Sequence, residues 1–177
     1  MSKYTQLSTA TASNTGSVTL TGITSEYPVA ILYYDSALPA TDGADLLFRL
    51  RESSGSDNSN SNYNSVIAYQ RSDRDFDDTD GDNLGLGDKD KVHLTGSTHD
   101  GANQGYGGIL YIHNAANGSE ATYVQSDTVY LTSGSPFMLG QIGGTVLREA
   151  TTVTGITLFY DTGNIATGNF TLVGIKN

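Results

Sequence analysis

Short stretches in which apolar and polar residues alternate recur along the chain, separated by glycine, asparagine, aspartate and serine. Alternation places every second side chain on one face, which is typical of a half-buried β-strand. Residues 17–23, for example, put Val18 and Leu20 on one face. The pattern predicts about nine to eleven strands, within residues 17–23, 27–34, 45–51, 63–71, 91–95, 108–113, 121–131, 137–142, 146–148, 153–160 and 165–175.

No long segment has the 3.6-residue apolar spacing of an amphipathic helix. Two layers of antiparallel sheet satisfy a series of short strands with frequent turns. We therefore predict an all-β fold, an antiparallel β-sandwich with long polar loops. A jelly roll is the expected variant, and an immunoglobulin-like sandwich is the alternative. No change of composition divides the chain, so a single domain over residues 1–177 is expected.

Three segments lack the strand pattern. Residues 8–15 are small and polar, and residues 1–15 are therefore predicted to form a flexible N-terminal arm. Residues 52–62, with the sequence ESSGSDNSNSN, and residues 72–90 are too polar to enter a core. Both are predicted to be exposed loops, which are frequent places for function.

Charge and composition narrow the classes of partner. The chain carries a formal charge of −10 and has no cysteine. A negative surface repels phosphate backbones, so nucleic acid is not an expected partner. The longest apolar run, residues 29–34, is far shorter than the roughly 20 residues of a membrane helix, and no secretion signal is recognisable at the start. A membrane is therefore not an expected partner either.

The polar loop at residues 72–90, which we call the acidic loop, contains the one residue spacing that suggests a metal site. Asp78, Asp80 and Asp82 stand at the first, third and fifth positions of a calcium-binding loop. Asn83 then occupies the place of the required glycine, and Lys89 that of the bidentate glutamate. The EF-hand is thus excluded. Another type of calcium site and a solvated acidic loop remain as alternatives, and no other cofactor is expected.

Catalytic motifs are absent from the sequence. There is no G-x-S-x-G elbow and no phosphate-binding loop followed by a helix. His93, His99 and His113 have no cysteine to complete a zinc site and are interpreted as ordinary surface or turn residues. We therefore predict that the protein is not an enzyme.

Tyrosine is the most abundant aromatic residue, and two roles are open to it. Tyr63, Tyr69 and Tyr106 adjoin the polar loops, which makes them candidates for contact with a glycan or another partner. The tyrosines within strands are assigned to the core or to subunit packing, namely Tyr33, Tyr34, Tyr111, Tyr123 and Tyr130.

Two segments resemble virion proteins of tailed bacteriophages. Residues 162–176, TGNIATGNFTLVGIK, are similar to the hairpin with which many of those proteins end. Residues 47–55, LFRLRESSG, followed by a Ser/Asn-rich loop and the strand that begins at Tyr63, are similar to a second stretch of the same group. These motifs concern packing and carry no chemistry.

The resemblance implies a jelly-roll module located in a virion. The chain lacks the collagen-like, coiled-coil or repeated sequence of a fibre shaft. This favours a capsid decoration, or cement, protein that binds the major capsid protein and stabilises the assembled shell. A homo-oligomer, a trimer by the resemblance, is expected. The alternatives are a tail-fibre or receptor-binding module for host surface glycans and, third, a depolymerase.

Overall fold

Twelve β-strands build the protein in a computed structural model, which describes residues 3–73, 83–134 and 136–176. No helix occurs in these ranges, so none has the length and apolarity that a membrane span needs. The strands are β1 (Tyr4–Thr15), β2 (Val18–Thr21), β3 (Val29–Pro39), β4 (Leu46–Glu52), β5 (Tyr63–Arg71), β6 (Asn83–Lys89), β7 (Val92–His93), β8 (Tyr106–His113), β9 (Thr122–Leu131), β10 (Met138–Leu147), β11 (Val153–Tyr160) and β12 (Ile165–Ile175).

The strands form two antiparallel sheets that pack as a sandwich. The larger sheet has eight strands in the order β1-β12-β3-β8-β9-β10-β5-β6, and the smaller has four in the order β2-β11-β4-β7. Neighbours in the sheets are often distant in sequence, as in the pairing of β1 with β12. The predicted all-β, jelly-roll-like sandwich is confirmed.

The core lies between the two sheets and is built from alternate residues of their strands. In β3, Leu32 and Tyr34 point inward, and β4 contributes Phe48 from the opposite sheet. Phe170 and Leu172 of the last strand are buried in the same core. Each fully buried side chain of this size contributes about 1.5–3 kcal/mol. The alternation read from the sequence is therefore the alternation that builds the core.

The N-terminal segment is a strand, and the prediction of a flexible arm was wrong. β1 pairs with β12 from the level of Tyr4 to that of Thr15, with a bulge between Gln6 and Ser8. Its small residues, such as the buried Ala12, give little apolar signal. The segment is ordered by backbone pairing with a strand at the other end of the chain, which the local sequence does not reveal.

Two further predictions are corrected. Residues 83–89, assigned to the second long loop, form β6 and pair with β5 at the edge of the large sheet. The two short strands predicted at residues 137–142 and 146–148 are replaced by one strand, β10, which runs from Met138 to Leu147 through Gly143 and Gly144. Glycine usually weakens a strand, but here both neighbours, β5 and β9, pair with it along its length.

The first polar loop is organised by one carboxylate. The side-chain amides of Asn58, Asn60 and Asn62 donate hydrogen bonds to Glu149 Oε2 at 3.0, 3.2 and 2.9 Å. These bonds favour the charged carboxylate and hold the pKa of Glu149 below its ordinary value. Residues 52–62 thus form a loop that is polar, as predicted, and also fixed to the end of β10.

Candidate functional site: the outer face of the eight-stranded sheet

The small sheet covers one face of the large sheet, and the other face points outward. In β9 the exposed residues alternate with buried ones, so that Tyr123 and Val129 lie on this outer face. Most of the large exposed hydrophobic side chains of the described residues share it. They are Tyr33, Val66, Tyr111, Tyr123, Val129, Met138 and Ile142. We call this surface the outer face.

Three tyrosines cross the outer face in a diagonal row. Tyr33 of β3 is level with Ile109 of β8, Tyr111 of β8 is two residues further on, and Tyr123 of β9 is level with His113. Their exposed fractions are 45%, 38% and 51%. Diagonal neighbours in a sheet stand about 7–8 Å apart. The three rings therefore form one aromatic track across three adjacent strands.

Beside this track, the surface of β5, β9 and β10 is grooved. Two adjoining grooves of about 390 and 340 Å³ share Val66 and Gly144 in their walls. The first also contacts Ile142 of β10, and the second reaches Tyr123 of β9. The glycines of β10 have no side chains to fill this region, while the Val66 side chain, 67% exposed, stands between the grooves. These two grooves can accommodate apolar groups that protrude from a partner.

The outer face carries little charge, although the protein as a whole is strongly acidic. By strand alternation, the carboxylates that point outward from the six strands β12 to β5 are Asp35 and Asp127. The imidazole of His113 contacts the side chain of Gln125 at 3.3 Å. With two carboxylates on six strands, the outer face is only weakly acidic on a chain of charge −10, so it repels another negatively charged molecule less than the rest of the surface does.

Two of the three tyrosines predicted as contact residues lie in the core, and that prediction was wrong for them. Tyr63 has no exposed surface, and its hydroxyl accepts a hydrogen bond from Leu50 N–H at 2.9 Å and donates one to the Asn58 carbonyl at 3.2 Å. Tyr106 is buried, with its hydroxyl 2.6 Å from that of Tyr160. Burial raises the pKa of both tyrosines above the ordinary value.

Tyr69, the third candidate, is half-buried and packs against the core. Burial, followed by the nearby carboxylate of Asp45, raises its pKa. The structure therefore does not bring Tyr63, Tyr69 and Tyr106 together as a surface for a ligand. Their proximity to polar loops in the sequence was misleading, because each is anchored inside the sandwich by the strand that carries it.

Sequence reasoning missed the exposed tyrosines by assigning Tyr33, Tyr111 and Tyr123 to packing. The available signal was the phase of alternation. Tyr34 is in phase with the buried Leu32, so its neighbour Tyr33 points outward. This signal was weak, since both faces of β3 carry apolar residues and either could have been the buried one.

The predicted calcium ligands Asp78, Asp80 and Asp82 lie outside the described residues. In the described ranges, a different group, Asp42, His99 and Asp100, places one potential ligand atom of each residue within 4.8 Å of the others. Here His99 Nδ1 accepts a hydrogen bond from the backbone N–H of Gly101 at 2.9 Å. The two carboxylates are exposed, as in a solvated loop.

One acid–base pair has the geometry of part of a hydrolytic triad. His93 Nδ1 lies 3.1 Å from Asp45 Oδ2. The hydroxyl of the neighbouring Ser97 instead pairs with that of Ser133 at 2.8 Å, while the Ser97 backbone N–H donates to Asp45. No serine hydroxyl bonded to His93 is present in the portion of the chain that the structure covers. The pair therefore fixes the loop that follows β7.

No protein family model matches the chain, and no curated protein matches its sequence. Among solved structures, a PL-14 alginate lyase from Aplysia kurodai is 12% identical, with a TM-score of 0.37 over 88% of this chain and 71% of that one. The alginate lyase vAL-1 from Chlorella virus is 6% identical, with a TM-score of 0.26 over 96% and 84%. The carbohydrate-binding module CBM66 from Bacillus subtilis is 11% identical, with a TM-score of 0.23 over 92% and 94%. Similarity at this level does not indicate what the present chain binds or does.

Proposed function

We propose that the protein is a structural docking module of a bacteriophage particle, and that it decorates the assembled capsid through the outer face. The observation that carries this proposal is the concentration of exposed apolar side chains on one weakly charged sheet face. Soluble proteins rarely leave a large contiguous apolar surface uncovered unless it binds something. The resemblance of residues 47–55 and 162–176 to tailed-phage virion proteins is the reason for proposing that the binding partner belongs to a phage particle.

The outer face approaches the size of a specific protein contact. Strands in a sheet are spaced about 4.8 Å apart and rise about 3.3 Å per residue. The six strands from β12 to β5 therefore span about 29 Å, and seven residues along them about 23 Å, which gives roughly 670 Å². Specific protein interfaces bury about 800 Å² on each partner. The face thus approaches the required area before any loop contributes.

The chemistry of the grooved half favours a protein partner. Val66, Val129, Met138 and Ile142 are aliphatic or thioether side chains, which pack well against other apolar side chains. Aromatic residues and methionine are enriched at protein interfaces, whereas charged residues are depleted from their centres. The proposed partner is the major capsid protein in its assembled form. Because the module binds only the assembled state, it stabilises the shell by mass action.

Co-sedimentation with assembled capsids that lack the protein tests this proposal. We expect saturable binding of the parent protein and greater resistance of the capsids to heat. Ile142→Asp, and separately Val66→Asp, should weaken binding by about tenfold or more, because each introduces a charge into the centre of the interface. Thr21→Asp places the same charge at an exposed strand position of the opposite sheet and serves as the control.

The outcomes distinguish docking through the outer face from docking through another surface. The proposal is supported if the two outer-face variants bind capsids more weakly while Thr21→Asp binds them as the parent does. All three variants must also melt cooperatively, which shows that they are folded. Equal binding by all variants would place the contact elsewhere on the protein. Failure of the parent to bind assembled capsids would reject the decoration role itself.

A second candidate function is recognition of glycans on a host surface, and the tyrosine track favours it. Tyr33, Tyr111 and Tyr123 offer exposed ring faces, with polar side chains of Gln125 and Asp127 beside them. Aromatic rings with nearby polar groups suit the apolar faces and hydroxyls of sugars. This function would be favoured over decoration if the parent protein binds host cells and does not bind capsids. Tyr111→Ala should then abolish the binding to cells.

A further inference from the structure

The first strand leaves one edge of the large sheet without a partner strand in the described part of the chain. β1 pairs with β12 on one side, and the sheet order begins with β1. A free edge presents a row of backbone N–H and C=O groups that can pair with another strand. The regular stretch of this edge runs from Thr9 to Ser13, between the bulge near Gln6 and the left-handed Asn14, and is about 17 Å long.

The other sheet edges carry features that oppose pairing. The edges of the small sheet are short, with four residues in β2 and two in β7. The far edge of the large sheet, β6, carries Asp88 and Lys89. Shortness and charge are the usual means by which proteins block edge pairing. β1 has neither, since its sequence YTQLSTATASNT contains no charged residue. The bulge near Gln6 and the left-handed backbone of Asn14, with a φ of 52°, bound its regular stretch.

We propose that β1 pairs antiparallel with β1 of a second copy of this chain. Two molecules of charge −10 repel each other over most of their surfaces, and a neutral edge is where they can meet. After the bulge, Thr9, Thr11 and Ser13 form the exposed row of β1, with Ala10 and Ala12 on the inward side. A two-fold axis sets the hydroxyl row against the same row of the other copy, and threonine–threonine and threonine–serine pairs stabilise such contacts.

The symmetry of this contact limits the assembly to two copies. An isologous strand pair uses the same edge of both molecules and leaves no second β1 edge for growth. The two large sheets join into one continuous sheet, with both outer faces on the same side. If the docking role proposed above holds, the pair binds a particle through two faces at once and gains effective concentration. The pairing itself does not depend on that role.

Sedimentation equilibrium of the full chain tests the pairing. We expect the parent to have twice the monomer mass of 18.7 kDa. The double variant Thr9→Lys/Thr11→Lys should sediment as a monomer, because like charges directly opposite each other destabilise strand pairing. The matched control, Gln70→Lys/Gln125→Lys, adds the same charge at exposed positions of the outer face and should remain a dimer.

The remaining outcomes contradict the proposal in different ways. A parent that is monomeric at all concentrations overturns it, and so does a dimer that the β1 variant leaves intact. Dissociation of the control instead of the β1 variant would place the contact on the outer face. A mass three times that of the monomer would overturn the pairing in favour of the trimer that the phage resemblance implies. If the β1 variant does not fold, hydrogen exchange of the parent protein tests the pairing instead. We expect the edge amides of β1 to become more protected as the protein concentration rises. Unchanged protection would overturn the pairing.

Discussion

The hydroxyl of Tyr63 gives a sharp test of how the two sheets are held together. This residue is fully buried, and its oxygen bridges Leu50 N–H of β4 and the carbonyl of Asn58 in the first polar loop. Tyr63→Phe removes that oxygen while keeping the ring and its packing. Two buried backbone groups then lose a partner, and each costs about 1–3 kcal/mol. We expect a total destabilisation of about 2–6 kcal/mol.

Thermal unfolding followed by circular dichroism measures this cost. For a chain of this length, 1 kcal/mol lowers the melting temperature by about 2–4 °C, so a fall of roughly 4–24 °C is expected. Tyr123→Phe removes an exposed hydroxyl from the outer face and should change the stability by less than about 0.5 kcal/mol. An unchanged melting temperature for Tyr63→Phe would refute the bridging role of its hydroxyl.

Three further predictions concern ionisation and close packing. Burial raises the pKa of five core tyrosines above the ordinary value of 10.0. Their contribution to stability is therefore present below pH 10 and is lost as the pH rises beyond it. Ultraviolet difference titration should show these five tyrosines ionising together with alkaline unfolding. The Glu149 carboxylate, whose pKa is lowered, fixes the first polar loop above pH 4.5 and releases it as the pH falls. The protection factor of the Asn58 amide against hydrogen exchange, which corrects for the intrinsic pH dependence of exchange, should therefore fall in acid. Glu149→Gln should lower the same protection factor at neutral pH. Gly155→Ala directs a methyl group at the Leu20 carbonyl oxygen and should destabilise the protein by about 1–3 kcal/mol in a denaturant titration, whereas Gly85→Ala, which has open space, should not. The five core tyrosines of the first prediction, those whose pKa is raised by burial, are Tyr34, Tyr63, Tyr106, Tyr130 and Tyr160.

The fold class could be predicted from the sequence because the strands of the core alternate clearly. The inward positions of β4, such as Phe48, and those of β12, such as Phe170, follow from the alternation alone. β1 and β6 could not be predicted, because small residues and glycines carry little apolar signal. These two strands lie at the edges of the large sheet and form through backbone pairing, β1 with β12 at the other end of the chain and β6 with the preceding strand β5. Backbone pairing leaves little trace in the side-chain pattern of the strand.

The candidate site was harder to predict than the core, since it depends on which of two apolar faces is covered. In β3, Ile31 and Tyr33 alternate with Leu32 and Tyr34, and both sets are apolar. Only the placement of the four-stranded sheet decides that Tyr34 is buried and Tyr33 exposed. The same uncertainty led Tyr63 to be assigned to the surface, although it lies in phase with the buried Ile67.

Side-chain oxidation footprinting on assembled capsids tests the central claim, that the outer face is the docking surface. Met138, Tyr111 and Tyr123 are exposed on that face and react readily with hydroxyl radicals. Phe159 lies half-buried on the outer side of the small sheet and serves as an internal reference. We expect oxidation of the first three to fall on binding while that of Phe159 is unchanged. The claim would be contradicted if binding protects Phe159 from oxidation while Met138 and the two tyrosines are oxidised as in the free protein.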